Sequence, residues 1–309
     1  LAGKHRQDEF SYIEWIKSQT KHRGRTLIGI GDDAAYLKSP QKIIVTTDML
    51  LEDIHFPKGT SPYLVGRKTV AISLSDIAAM GGSPLFALCA VALPESACMR
   101  YARDLYRGMK DMADLYSIDI VGGNVTAWKH PLCTCSTLIG RIPAKGPIKR
   151  TGAKTGDAVL VTGELGGSVL GKHLRFTPRV KEALTLNKNH TIHSMIDISD
   201  GLTQDLAHLV ERDKLGFLLY EEAIPVSRAA KRLSRRTGKT ALEHALSDGE
   251  DFELLFSTSR KEAKRISATW HLPTRISLIG EITRSGYRLR KTSGEIVTIE
   301  PKGYVHFKK

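Results

Sequence analysis

The chain has 309 residues, 41% of them hydrophobic and 26% charged, a composition that builds a sizeable globular core and excludes a fibrous or disordered protein. Its formal net charge is +13, so acid is the scarcer charge, and polyanionic small molecules or nucleic acid suit it as partners. No apolar run reaches membrane-spanning length and no signal peptide opens the chain, which argues for a cytoplasmic protein.

"DEFSYIEWIKSQ" predicts an amphipathic helix with Phe10, Ile13 and Ile16 on one side. "TLIGI" reads as a short strand running into a Gly-Asp-Asp turn, and "KIIVTTDML" as a second strand. From Ser61 to Met80 the pattern is helical until "MGGSP" breaks it. "FALCAVALP" predicts a buried strand, "MRYARDLYRGMKDMADLY" a helix, and "IDIVGGN" a strand ending in a glycine turn. "LCTCSTLIGRI" predicts a strand that puts Cys133 and Cys135 on one face. With Cys89 and Cys98 they are too few for a disulfide framework and lack zinc spacing, so they read as small buried hydrophobes in a reducing compartment. The Pro, Gly and Lys of "PAKGPIKRTGAKTGD" mark a linker between two domains, about 1–145 and 150–309, each of mixed α and β order. Arg228, Lys231, Arg232, Arg235 and Arg236 recur at helical spacing, which a solvated helix face explains at least as well as a phosphate-tracking surface.

Acids recur where apolar strands or helices end in turns: Asp32 and Asp33 in "GIGDDAA", Asp48 in "VTTDML", Asp76 in "AISLSDIAAMGG", Asp197 and Asp200 in "MIDISDGL", and Asp248, Glu250 and Asp251 in "DGEDFELLF". One such Asp is ordinarily a cap or an Asx-turn. Together they place many carboxylates beside runs that must be buried, and buried carboxylates need partners. Oxygen-only ligands point to Mg²⁺ and not zinc, and Mg²⁺ also bridges nucleotide phosphates. The pattern therefore reads as a Mg-nucleotide enzyme. "GELGGSVLGKH" comes close to a phosphate-binding P-loop, but His173 stands where the magnesium-binding Ser or Thr belongs. The protein-kinase signatures and the dinucleotide fingerprint are absent as well.

Nearly the whole chain, in order, resembles the thiamine-monophosphate kinase family of the aminoimidazole ribonucleotide synthetase-like superfamily. The resemblance runs through "GIGDDAAYL", "TTDMLLEDIHF", "GRKTVAISLSDIAAMGGSPLFAL", "VGGN", "RTGAKTGDAVLVTGELGGS", "IDISDGLTQDLAHL", "SDGEDFELLF" and "PKGYVHF". It implies an α/β (α+β) fold of two domains whose N-terminal strands pair across a homodimer into a shared β-barrel. It implies transfer of the ATP γ-phosphoryl group onto thiamine monophosphate, assisted by several Mg²⁺ ions and with no dedicated protein base. The implied magnesium ligands are Asp32, Thr46, Thr47, Asp48, Asp76, Asn124, Asp197 and Asp200. Tyr106, Gly123, Asn124, Arg150 and Ser199 fall on the ATP side, and His55, Glu250 and Tyr304 on the substrate side. Without the resemblance, His55, Tyr106 and Tyr304 read as packing residues. Three departures stand out: Asp53 where Gly is common, "SDGED" for the usual "GGED", and a short segment before "HLRFTPRV".

Two rival readings are another ATP-using member of the superfamily and a non-catalytic, basic nucleic-acid-binding relative. Selenophosphate synthesis calls for a reactive N-terminal Cys, whereas the first here is Cys89. The hydrogenase-maturation relative ends in a Cys, and this chain ends "VHFKK". A nucleic-acid binder predicts lost magnesium ligands and a salt-dependent affinity without ATP turnover.

Overall fold

The computed structural model describes residues 26–28, 35–37 and 42–305. The predicted helix around Phe10, Ile13 and Ile16 and the turn carrying Asp32 and Asp33 lie outside the described residues.

Two sheets organise the described chain. The first is built from β1 (Thr26–Ile28), β2 (Ala35–Leu37), β3 (Ile43–Leu51), β4 (Ser83–Pro94), β5 (Asp119–Trp128) and β6 (Cys133–Arg141). Their order is β1-β2-β3-β6-β4-β5, antiparallel except for the parallel β4–β5 pair. Helix α1 (Pro62–Ala79) precedes β4 and α2 (Met99–Leu115) follows it. The second sheet holds β7 (Ala158–Thr162), β8 (Ser194–Asp197), β9 (Gly216–Tyr220), β10 (Leu254–Thr258), β11 (Ile276–Thr283), β12 (Tyr287–Arg290) and β13 (Ile296–Thr298). It runs β13-β12-β9-β11-β7-β10-β8, with β12 and β9 parallel. Around it lie α3 (Lys172–Arg175), α4 (Val180–Asn189), α5 (Leu202–Glu211), α6 (Arg228–Leu233), α7 (Ala241–Ser247) and α8 (Arg260–Thr269).

Strand β3 alternates as a half-buried strand should. Ile44, Thr46 and Leu50 are buried, while Thr47 and Met49 are exposed. Asp48 shares the parity of the buried set, which faces α1. On β6 the same rule buries Thr134, Ser136 and Leu138. Helix α1 is covered on nearly every side, by the first sheet, by α2 and by elements of the second half. A helix buried all round must satisfy each polar side chain it carries. Thr69 meets Thr134 (Oγ1···Oγ1 2.7 Å), and Ser73, Ser75, Asp76 and Lys68 all find partners described below.

Helices α1 and α2 meet at two glycines. A Cβ on Gly66 would lie 1.9 Å from the Leu105 carbonyl oxygen, and one on Gly108 would lie 1.9 Å from that of Tyr63. Gly108→Ala is therefore expected to destabilise the protein by about 1–3 kcal/mol through overpacking. Gly238 has open space around it, so Gly238→Ala is the control. Equal urea midpoints for the two variants would sink this packing account.

Four expectations need correcting. Strand β4 is not buried throughout, because Phe86 (39%) and Leu88 (37%) face away from the helices. The glycines of "IDIVGGN" do not end a strand but lie inside β5. Gly123 is needed there because a Cβ would come within 1.7 Å of the Cys89 carbonyl oxygen on β4. Of the cysteines only Cys89 is buried; Cys98 is exposed, and Cys133 and Cys135 lie half-buried on the sheet face away from α1. The basic helix stops at Leu233, so Arg235 and Arg236 do not continue its face. Asp53, where the family favours glycine, has φ 68°, the left-handed region glycine adopts most easily.

Candidate active site

A cavity of about 570 Å³ opens between the two halves. Strand β3 supplies Asp48 to its wall, and the turn after β3 supplies His55. The loop between β8 and α5 supplies Ser199 and Asp200, the loop between α7 and β10 supplies Glu250, and the C-terminal tail supplies Tyr304. The cavity thus gathers acids together with a His, a Glu and a Tyr.

Hydroxyls hold the acids in place. Ser73 Oγ donates to Asp48 Oδ2 at 2.7 Å, Thr46 Oγ1 to Asp76 Oδ2 at 2.5 Å, and Ser75 Oγ to Asp197 Oδ2 at 2.5 Å. Three of these groups, Ser73, Ser75 and Asp76, come from the last turns of α1, which so joins acids of both halves. The loop "SDG" is tied by Asp205, whose Oδ2 accepts the amides of Ser199, Asp200 and Gly201 at 3.0–3.1 Å. Burial pushes the Asp205 carboxyl well above the usual carboxylate range, helped by the charges of Asp200 and Asp197. The Asp200 amide hydrogen bond and the charge of the Arg150 guanidinium act in the opposite direction. The tail docks there too: the Tyr304 amide donates to the Asp200 carbonyl at 2.9 Å, and a Cβ on Gly303 would meet that oxygen at 2.4 Å.

The loop "GELGGS" reaches the cavity through Ser168. Its Gly166 and Gly167 amides donate to Asp251 Oδ2 (2.8 Å) and Asp248 Oδ2 (2.9 Å), and Ser168 Oγ donates to the Gly249 carbonyl (2.6 Å). Burial pushes the Asp251 carboxyl up to about 7, against the pull of Lys172 and the Gly166 amide. Lys172, the lysine of the apparent P-loop, donates instead to Glu253 (3.0 Å) and to the Glu164 carbonyl (2.8 Å). These contacts tie it to the protein's own carboxylate and carbonyl oxygens. Ser168, Val169 and Leu233 line the cavity although no motif marks them as site residues.

Not every expected residue meets there: Thr46, Asp76, Asp197 and Arg150 do not line this cavity. Asp32 lies outside the described residues. Thr47 points its hydroxyl to the other sheet face, at Thr137 Oγ1 (2.9 Å), because strand parity separates it from Thr46 and Asp48. Tyr106, Gly123 and Asn124 come together elsewhere, around a second cavity of about 460 Å³ beside the edge strand β5.

Among the described residues no three His, Cys, Asp or Glu side chains close into a metal cage. The donors are nonetheless all oxygen, and Asp197 and Asp200 both repel the Asp205 carboxylate. Mg²⁺ keeps waters and phosphate oxygens and needs only one or two carboxylates, so this set fits it better than a soft metal. No helix among the described residues is long and apolar enough to cross a membrane.

Residues 31–142 match the AIR synthase related protein N-terminal domain, and residues 154–291 match its C-terminal domain. The chain is 37% identical to the thiamine-monophosphate kinase of Rhodopirellula baltica, over 96% of this chain and 97% of that one. It is 33% identical to the thiamine-monophosphate kinase of Bacillus subtilis, over 97% and 100% of the two chains. The solved structure of AaThiL complexed with AMPPCP and TMP superposes with a TM-score of 0.84 at 29% identity, covering 99% of each chain. With its two-domain α/β fold, the chain belongs to the AIR synthase related proteins and, among them, to the thiamine-monophosphate kinase family.

Proposed function

We propose that this protein is a phosphotransferase that moves the γ-phosphoryl group of ATP onto the phosphate of thiamine monophosphate, giving thiamine diphosphate and ADP. The observation that carries this reading is the single cavity in which Asp48, Ser199 and Asp200 meet His55, Glu250 and Tyr304. AaThiL, so similar in fold, binds an ATP analogue and TMP.

An acceptor phosphate oxygen is already a nucleophile, so the chain's work is positioning and charge neutralisation. Asp48, Asp76, Asp197 and Asp200, with Thr46, are the residues that would hold Mg²⁺, joined in this reading by Asp32, by Thr47 through its main chain, and by Asn124. Bound there, Mg²⁺ would supply neutralisation of the phosphate charges. The hydroxyls of Ser73, Thr46 and Ser75 orient the carboxylates beforehand. Ser199 and Arg150 face the nucleotide at the β8–α5 loop. Tyr106 and Gly123 serve the ATP side at the second cavity. His55 and Glu250 take the thiamine portion, and Tyr304, which is 46% exposed, offers its ring for stacking.

In this reading the protein has two domains, about 1–145 and 150–309, and works as a cytoplasmic homodimer. Strand β5 is the last strand of its sheet and carries Val125, which is 70% exposed. An apolar edge strand of this kind calls for cover, and pairing across a dimer into a shared barrel would also wall the second cavity.

The test is incubation with ATP, Mg²⁺ and thiamine monophosphate. Thiamine diphosphate and ADP are expected in equal amounts. ADP release with another acceptor, without thiamine diphosphate, would overturn the substrate assignment.

A further inference from the structure

Lys68 sits in the middle of α1 with no solvent exposure, and a buried ammonium needs partners. Its Nζ donates to the His55 carbonyl at 2.8 Å and to Glu250 Oε1 at 2.5 Å. One cation so links two cavity-lining residues that come from opposite halves of the molecule. Buried His173 completes the group, with Nδ1 3.1 Å from Glu250 Oε2 and 3.2 Å from Lys68 Nζ. An ammonium only donates and a carboxylate only accepts, so Nδ1 can serve either neighbour according to its tautomer. With its proton on Nδ1, His173 donates to Oε2 while Lys68 donates to Oε1, so both oxygens of Glu250 are gripped from the interior side.

The backbone of Glu250 is unusual as well. Its φ is 61°, in the left-handed region that a non-glycine residue keeps only where its surroundings hold it. Its amide donates to the Ser199 carbonyl at 2.7 Å, which fixes it against the acidic loop. Burial works to raise the Glu250 pKa, but His173 and Lys68 outweigh it and hold the carboxyl below the usual range. Burial lowers the Lys68 pKa, with Glu250 pulling it back up.

We propose that Lys68 and His173 are positioning residues for substrate specificity: they lock Glu250 and the His55 turn in register across the cleft, so that the cavity presents a fixed carboxylate to a cationic, amine-bearing ring. The inference rests on the proposed thiamine monophosphate reading and assigns a part of that site to two residues that do not themselves line the cavity. The carboxylate attracts the thiazolium charge electrostatically, and it accepts from an aminopyrimidine N–H in a charge-assisted hydrogen bond, one of the strong ones.

The experiment is steady-state kinetics with each substrate varied in turn for Lys68→Met, His173→Phe, His173→Asn and Glu250→Gln. Lys68→Met is expected to raise KM for thiamine monophosphate about 10–100-fold, the effect of losing a hydrogen bond to a charged group. KM for ATP should stay within about twofold. His173→Phe should act in the same direction, and His173→Asn, which keeps a polar atom where Nδ1 stands, should restore most of the affinity. Lys68→Met combined with Glu250→Gln should be no worse than Glu250→Gln alone, since both remove one interaction. If Glu250→Gln raises KM for thiamine monophosphate while Lys68→Met and His173→Phe do not, this inference fails and the proposed function stands. Equal increases in both KM values would also overturn it, by showing general damage to the cleft. Should Lys68→Met not fold, the His173→Phe and His173→Asn pair decides alone. A wild-type protein that makes no thiamine diphosphate removes the proposed function itself, and the inference with it.

Discussion

Asp48→Ala is expected to slow thiamine diphosphate formation by at least about 10²–10³-fold, the scale set by removing one preorganised group that stabilises transferring charge. Asp48 stands on the α1 side of β3, at the cavity wall, with one oxygen held by Ser73. Its removal takes a proposed magnesium-binding carboxylate from the proposed phosphoryl-transfer site. The fold should hardly notice. Ser73 Oγ keeps Ser136 Oγ as a partner at 2.7 Å, and the loss of one acid relieves repulsion among the acids that remain. The measurements are kcat for thiamine diphosphate formation and the urea midpoint of the unliganded protein. Turnover within tenfold of the wild type would refute the ligand role of Asp48.

Glu253→Ala should produce the largest loss of stability, about 3–5 kcal/mol, because it breaks a buried ion pair by removing one partner. Glu253 is 1% exposed. It accepts from Arg179 Nε and Nη2, each at 2.7 Å, from Lys172 Nζ at 3.0 Å and from Thr162 Oγ1 at 2.8 Å. Burial alone would lower the Arg179 pKa, yet Glu253, together with Glu182 and Tyr116, more than offsets it and the guanidinium pKa is raised. Without Glu253, Arg179 keeps Glu182 at 3.7 Å and Lys172 keeps Asp251 at 3.6 Å, neither at hydrogen-bonding distance. Glu253→Gln retains an acceptor and should cost less than Glu253→Ala. Chemical denaturation of both variants checks this, and a cost under about 1 kcal/mol for Glu253→Ala would show that the cluster contributes little to the fold.

Glu253 lies only three residues past Glu250, and "DGEDFE" reads in sequence as one acidic turn. The structure divides its labour. Asp248 and Asp251 tie down the "GELGGS" loop, Glu253 neutralises two interior cations, and Glu250 faces the cavity. Left-handed backbone at Glu250 and Phe252 makes the division possible by turning successive side chains in different directions. Propensity does not reveal such conformations for a Glu or a Phe, so the sequence could show an acidic turn but not which acid serves what.

The central elements of the fold were more legible. Strand β3 follows from the alternation of "KIIVTTDML", and α1 from the unbroken helical pattern between Ser61 and "MGG". Both signals are local periodicities. Where a contact across strands decides the outcome, the local signal misleads. "VGG" has the look of a turn, yet it continues as strand β5 because β4 needs a residue without Cβ beside the Cys89 carbonyl. Strand parity likewise sends the Thr47 hydroxyl away from its neighbours, which spacing within a three-residue motif does not disclose unless the pleat is applied to it.

By itself, the sequence determined the chemical character of this protein: oxygen donors, glycine turns and family motifs in one order, because residue type and local spacing are written along the chain. Only the tertiary structure decided which acids share a wall with His55 and Tyr304, and that Lys68 and His173 stand behind Glu250. Lys68 and Glu250 are 182 positions apart. Their meeting comes from burying α1 between the two halves, where desolvation obliges an ammonium to find a carboxylate, and no pattern local to either residue encodes the pairing.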